Sequence, residues 1–245
     1  MGKLDGKVAL ITGAASGIGE GVARAFVAEG AKTAIVDLNG EAAQKLAAEL
    51  GSNALAVTAD AADEKQIADA FAKTKAAFGP IDVLFANAGI DNTCLVEDMP
   101  VEQWDRMIHI NLRSVFLASK LAIPDMKAKG WGRIICTASQ LGHRGGPTMA
   151  HYCAAKAGVM GFVKSLAHEV AIHGIAVNGL CPGPINTPLL RQIPQDWLDM
   201  KTKELPIGRF GEVREVVPAV VLLASEDGGY FIGASLNMNG GDYMI

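Results

Sequence analysis

Three residues of this chain could do acid–base chemistry together: Ser139, Tyr152 and Lys156. Tyr152 and Lys156 are four apart in a stretch with helical periodicity, so they share one helix face. A free tyrosine has a pKa of about 10 and is a poor base at neutral pH. Lowering it by about 3 units requires ~4 kcal/mol of preferential stabilisation of the phenolate. A neighbouring ammonium has the right sign. Ser139 follows an apolar run and would hold a reacting oxygen by a hydrogen bond.

A second group of residues could hold a phosphate. Thr12-Gly13-Ala14-Ala15-Ser16-Gly17-Ile18-Gly19 lies between an apolar run and an amphipathic segment. Gly13 permits a tight turn, Gly17 lets backbone approach a phosphate, and Gly19 lets the following helix pack closely. The helix N-terminus then offers free N–H groups and partial positive charge to a pyrophosphate. Any strand–helix turn can contain glycine; the placement favours the phosphate reading.

Asp37 ends the next apolar run, where a carboxylate would accept hydrogen bonds from adenosine ribose hydroxyls and repel a 2′-phosphate. The bland reading is a turn cap. No Arg or Lys follows in Leu38-Asn39-Gly40, so NAD(H) is expected over NADP(H). Asp60, with Ala61 after it, could accept the adenine amino group, and Asn87-Ala88-Gly89 would let backbone pass close to the cofactor. Singly, such residues are more often turn formers. An oxidised nicotinamide beside Tyr152 would add a second positive charge to that of Lys156.

These residues fall at the ends of elements in strict alternation. Strands are expected at Lys7–Ile11, Thr33–Val36, Ala54–Thr58, Ile81–Ala86, Arg133–Thr137, Ile175–Leu180 and Ser235–Met238. Helices are expected at Ile18–Glu29, Glu41–Leu50, Glu64–Phe78, Val101–Lys129, His151–Ile172 and Val216–Ala224, with Pro124 breaking or kinking the fourth. The strands are near-continuous apolar runs, as in parallel sheets covered on both faces. The expected fold is α/β: a doubly wound, Rossmann-like parallel sheet in three α/β/α layers, one domain over 1–245, with a proline-bearing lid at 185–206.

Composition excludes other classes. Half of the 245 residues are hydrophobic and a fifth charged, which is incompatible with a disordered chain. The net charge of −4 and the lack of a basic run give no purchase on nucleic acid or an anionic membrane. The opening Met1–Lys7 has no apolar signal-peptide core, and apolar runs such as Val216–Ala224 fall far short of the ~20 residues of a membrane span. Cys94, Cys136, Cys153 and Cys181 form no CxxC pair and read as free thiols of a cytoplasmic protein. His109, His143, His151, His168 and His173 lack ligand spacing, so no metal is expected.

The glycine turn, Asn87-Ala88-Gly89, Asn111, Ser139, Tyr152-x-x-x-Lys156 and Pro182-Gly183 together resemble the short-chain dehydrogenase/reductase family in its short, single-domain form. The resemblance runs nearly end to end. It implies that Tyr152 is the general acid/base toward the substrate oxygen and that Ser139 polarises that oxygen. It implies that Lys156 binds the nicotinamide ribose and lowers the Tyr152 pKa, and that Asn111 supports a water linking Lys156 to solvent. Pro182, Gly183, Ile185 and Thr187 would flank the nicotinamide. The resemblance also implies a homo-oligomer, a tetramer, with the helices of Asn111 and Tyr152 packed across subunits. The ending departs from the family pattern at Phe231-Ile232-Gly233 and Met238-Asn239-Gly240-Gly241.

Substrate must touch Ser139 and Tyr152, and Asp91–Leu95, Gln140–Met149 and Ile185–Pro206 can reach it. Gln140, His143, Arg144, Met149, Pro184, Leu189, Leu190 and Trp197 are the candidates, suiting a small molecule with an apolar part and polar handles. Arg144 could pair with a carboxylate, although an Arg in a Gly-rich loop is more often solvated. The expected activity is NAD-dependent oxidation of a secondary alcohol, polyol, sugar or hydroxy acid, or the reverse reduction. One alternative is a 3-oxoacyl thioester reductase, since Tyr152–Gly158 is close to that branch's motif. Against it stand Asp37 and the sparse basic surface, with Gly130 and His173 at likely carrier-docking positions and only Lys127 and Lys129 nearby. The other alternative is a non-catalytic dinucleotide sensor, disfavoured because Asn111, Ser139, Tyr152 and Lys156 are all present.

Overall fold

The apolar runs pair as the alternation requires. A computed structural model describes residues 2–190, 193 and 195–244. Its strands are β1 (Val8–Thr12), β2 (Lys32–Asp37), β3 (Ala54–Thr58), β4 (Val83–Ala86), β5 (Gly132–Thr137), β6 (Ile175–Pro182) and β7 (Ser235–Met238). They form one sheet in the order β3-β2-β1-β4-β5-β6-β7, every pair parallel. Strand order reverses between β1 and β4, and the crevice beyond the carboxyl ends there is where such sheets bind ligands. Thr12 pairs with Val36 on one side and Ala86 on the other, which brings the glycine turn, Asp37 and Asn87 to one edge.

Helices cover both faces. On one face lie α1 (Gly17–Ala28), α2 (Gly40–Leu50) and, late in the chain, α9 (Val213–Ala224). Val22, Phe26, Leu46, Val216 and Val220 pack there on Ile11, Ile35 and Phe85. On the other face lie α3 (Glu64–Phe78), α4 (Val101–Ile108), α5 (Ser114–Lys129) and α7 (Ala150–Val170), the last preceded by a single turn, α6 (Leu141–Arg144). Ile67, Phe71, Val115, Met126, Val159 and Val163 pack there on Leu10, Leu84 and Ile134. Alternate side chains of the inner strands thus feed two separate cores, which explains why those strands read as unbroken apolar runs.

The long helix differs from expectation in where it is irregular. Pro124 sits inside α5 without ending it. The carbonyl it deprives of a partner, on Lys120, belongs to an exposed residue that water can serve. The irregularity is instead a π-helical turn, His109–Arg113, joining α4 to α5. The stretch expected as a lid contains a helix, α8 (Gln195–Glu204); Arg191, Gln192 and Pro194 lie outside the described residues. Among the described residues no helix is long and apolar enough to cross a membrane, and no group of three or more His, Cys, Asp or Glu is placed to hold a metal ion.

Candidate active site

A cleft of about 500 Å³ runs along the carboxyl edge of the sheet. At its centre the glycine turn supplies Gly13, Ser16, Gly17 and Ile18 to the lining. Gly13 and Gly17 have φ of 63° and 55°, the left-handed region that favours glycine. Gly19 lies behind the wall: a Cβ on it would fall 2.1 Å from the Gly13 carbonyl oxygen. Ser16 sits at the N-cap of α1 but makes no side-chain cap bond, so its hydroxyl and the first N–H groups of the helix are not satisfied by the usual cap. Backbone without side chains, ahead of an open helix N-terminus, fits a pyrophosphate.

One end of the cleft is lined by Asp37, Leu38, Asp60 and Ala61. The Asp37 carboxylate accepts the N–H of Ala15 at 2.9 Å and of Asn39 at 2.9 Å, which fixes it at the end of β2. A carboxylate has about four acceptor positions, so lone pairs remain for ribose hydroxyls. Asp60 accepts the Ala62 N–H at 2.8 Å. Among the described residues lining the cleft, the only Arg or Lys besides Lys156 is Arg106, on α4.

Asn87, Ala88 and Gly89 form the floor. The Asn87 amide donates to the carbonyls of Thr12 and Gly13 and accepts the Thr137 hydroxyl at 3.1 Å, tying β1, β4 and β5 together. A Cβ on Gly89 would lie 2.6 Å from Asn111 Oδ1 and 3.5 Å from Lys156 Nζ, so those groups flank one small space. Asn111 is fully buried in the π-helical turn, a distortion often found at functional sites. Its Nδ2 donates to Ile90 O at 3.0 Å and Met107 O at 3.2 Å, and its Oδ1 accepts the Ile90 N–H at 3.3 Å.

Ser139, Tyr152 and Lys156 meet at the far wall. Ser139 Oγ accepts the Leu141 N–H at 3.1 Å, leaving its proton free to donate. Lys156 Nζ lies 5.6 Å from the Tyr152 ring centre and donates to Thr137 O at 2.8 Å, with two further protons to give. Burial pushes the Tyr152 phenol up from its ordinary value; a hydrogen bond with Ser139 opposes this and the Asp91 charge adds to it. Burial brings Lys156 down to about 8. The expected acidification of Tyr152 invokes both Lys156 and an oxidised nicotinamide; in the protein by itself, burial dominates and keeps the phenol up.

Pro182, Gly183, Pro184, Ile185, Thr187, Leu189 and Leu190 roof the cleft. Thr187 comes so near the glycine turn that a Cβ on Gly17 would touch its methyl at 3.3 Å. Five expected substrate contacts are elsewhere: Gln140, His143, Arg144, Met149 and Trp197 do not line the cleft. Gln140 and Arg144 turn instead to the buried Asp242 carboxylate, Arg144 at 2.6 Å, and Lys201 of α8 joins them at 2.7 Å. His143 stacks on Tyr243, with ring centres 5.5 Å apart. A buried carboxylate needs counter-charge, and this one draws it from residues 98 and 41 positions earlier. Sequence reasoning did not single out Arg106 or Ile110 as lining residues, and it named Asp91 only as the start of a segment able to reach the substrate. Asp91 carried a usable signal, standing just past Asn87-Ala88-Gly89 at the end of β4.

Comparison with known proteins agrees with this geometry. Residues 7–197 match the family model described as short chain dehydrogenase. The chain is 40% identical to the 3-oxoacyl-[acyl-carrier-protein] reductase of Escherichia coli K12, over 98% of this chain and 99% of that protein. It is 38% identical to the 2-dehydro-3-deoxy-L-rhamnonate dehydrogenase (NAD(+)) of Sphingomonas sp. SKA58, over 98% of this chain and 96% of that protein. Among solved structures, the 3-ketoacyl-(acyl-carrier-protein) reductase of Brucella melitensis complexed with NADH superposes with a TM-score of 0.94 at 36% identity, covering 98% of this chain and all of that one.

Proposed function

The chain belongs to the short-chain dehydrogenase/reductase family, whose members are nicotinamide-dependent oxidoreductases of CH–OH and C=O groups, and on that premise we propose that it uses NAD(H) to interconvert a secondary alcohol and a ketone in a small molecule such as a polyol, sugar or hydroxy acid. The observation that carries this reading is the convergence of Ser139, Tyr152 and Lys156 on a cleft whose other end carries Asp37.

Each residue has a defined task. The glycine turn and the N-terminus of α1 hold the pyrophosphate, and Asp37 holds the adenosine ribose and excludes a 2′-phosphate. Lys156 would donate hydrogen bonds from its two remaining N–H groups to the nicotinamide ribose hydroxyls. When bound, the nicotinamide supplies the hydride acceptor or donor. Ser139 donates to the substrate oxygen, and Tyr152 takes the hydroxyl proton in oxidation or returns it in reduction. Lys156, together with the positive charge that an oxidised nicotinamide would bring, would counteract the desolvation that holds the phenol protonated. Asn111, beside Lys156, maintains the path by which the proton leaves. Residues 185–190, which roof the cleft, and helix α8 form the lid proposed over the substrate. The Sphingomonas relative, named for NAD(+) and a sugar-acid substrate, supports this reading.

Two apolar patches support a tetramer. Phe116 of α5 is exposed and meets Phe162 of α7 edge-on, with ring centres 6.4 Å apart. Tyr230, Phe231 and Ile232, just before β7, form a second exposed group. Two separate patches suit two kinds of subunit contact. Four free cysteines suit a cytoplasmic location.

Titration of intrinsic fluorescence with NADH and NADPH tests the cofactor, with NADH expected to bind tighter; tighter NADPH binding overturns the role of Asp37. The identity to the E. coli reductase favours one second reading, reduction of a 3-oxoacyl thioester. Acetoacetyl-CoA reduced faster with NADPH than any secondary alcohol is oxidised with NAD would establish that reading instead.

A further inference from the structure

The segment after β4 presents a carboxylate to the reacting groups. Asp91 lines the cleft with Ser139, Tyr152 and Lys156, and its charge is felt at both Tyr152 and Lys156. Its side chain makes no hydrogen bond or ion pair with any described residue. Its neighbours, in contrast, are fastened. Ile90 is held through both backbone groups by Asn111. Asn92 Oδ1 accepts from Gln103 at 3.0 Å and faces His151 Nε2 at 2.5 Å. The Cys94 N–H donates to Thr148 O at 2.8 Å. A half-buried carboxylate with no hydrogen-bond donor from the described residues, on backbone braced before and after it, is preorganised for something outside the protein.

Resting on the reading that this is an oxidoreductase of small secondary alcohols, we infer that Asp91 selects substrates carrying a second hydroxyl beside the reacting carbon, whose proton it accepts. The charges around it exclude the alternatives. An anionic group would face like charge. A cationic group would approach the Lys156 ammonium, which already occupies this side of the cleft. An alkyl group would cover the carboxylate and strip its water without replacing the hydrogen bond, the loss by which polar sites reject analogues lacking a donor. A neutral hydroxyl satisfies the carboxylate and adds no charge next to Tyr152. The donor set therefore suits vicinal diols, polyols and sugar-derived alcohols over simple alcohols and over 3-oxoacyl chains, which are alkyl beyond the ketone.

The test compares 2,3-butanediol with 2-butanol, using NAD, in wild type and in the Asp91→Ala and Asp91→Asn variants, with NADH binding measured in each. Wild type is expected to favour the diol in kcat/KM by roughly 10- to 100-fold, the worth of a hydrogen bond to a charged group. Asp91→Ala is expected to reduce that preference to about threefold or less, with Asp91→Asn intermediate and NADH binding retained in both, since Asp91 braces no other residue. Equal turnover of the two alcohols by wild type overturns the role of Asp91 and leaves the parent reading standing. So does a diol preference that survives in Asp91→Ala. Oxidation of neither alcohol by a protein that binds NADH overturns the diol assignment, whereas a wild type that binds no dinucleotide overturns the parent reading itself.

Discussion

Lys156 carries its ammonium 5.6 Å from the centre of the Tyr152 ring, one helical turn away on α7, and is buried beneath the half-buried tyrosine rather than solvated. The pair is poised in opposite senses. Burial holds the phenol protonated and favours the neutral amine, with Lys156 down at about 8. Added positive charge in the cleft would favour the phenolate and disfavour the ammonium, so proton position between solvent, amine and phenol is set by what the cleft contains.

The first expectation concerns the stability of the ligand-free protein. Below pH 8 Lys156 is charged in both folded and unfolded states, and its burial is a standing cost. Between about pH 8 and its ordinary value of 10.5, the unfolded chain binds a proton that the folded protein has released, so this group makes stability rise with pH. Buried Cys136 and Cys181, pushed up to about 12 and about 11, act oppositely above pH 9. Burial is the largest cause of both thiol shifts and Lys156 a lesser one, so most of their effect is common to wild type and Lys156→Met and drops out of the difference. Urea unfolding should show wild type gaining on the order of 2 kcal/mol relative to Lys156→Met from pH 7 to pH 10. A flat difference would show that Lys156 is not desolvated.

The second concerns Asp37. Its carboxylate both fastens the glycine turn through Ala15 N–H and faces the ribose end of the cleft. Asp37→Ala is expected to shrink the ratio of NADH to NADPH affinity by roughly 10-fold, about 1.4 kcal/mol. Calorimetric titration with both nucleotides reads this ratio directly. An unchanged ratio would remove the carboxylate from cofactor selection.

The third concerns Asp242. It joins three segments: Gln140 next to Ser139, Arg144 at the end of α6, and Lys201 on α8, the helix of the proposed lid. Asp242→Ala leaves Lys201 buried without that partner. Its cost should lie toward the lower end of the roughly 3–5 kcal/mol for breaking a buried pair, because Arg144 stays partly open to water. With the lid helix released, KM for substrate should rise more than kcat falls. A stability loss with unchanged KM would make the cluster purely structural.

Much of this was legible in the sequence, and the exceptions have physical reasons. The inner strands could be read because they are buried on both faces and largely apolar; the edge strands β3 and β7, only half-buried, were nevertheless placed to the residue. The residues that meet at the carboxyl edge could be named because the crossover rule sends every strand end there. What escaped depends on pairing at long range or on side chains with no pattern. Helix α8 buries only Lys201, so it has no apolar stripe to reveal it. Gln140 and Arg144 looked free for substrate because their partner, Asp242, lies about a hundred residues later. The π-helical turn at Asn111 is invisible to a 3.6-residue period, whereas Pro124 draws attention and proves harmless.

The account rests on one phenol exchanging a proton with substrate. Its most direct test is Tyr152→Phe, which keeps the ring and removes the hydroxyl. NADH affinity within a few-fold of wild type, with kcat reduced by about 100- to 10,000-fold on whichever alcohol wild type oxidises, is the expected result. Turnover at the wild-type rate by a variant that still binds NADH would contradict it.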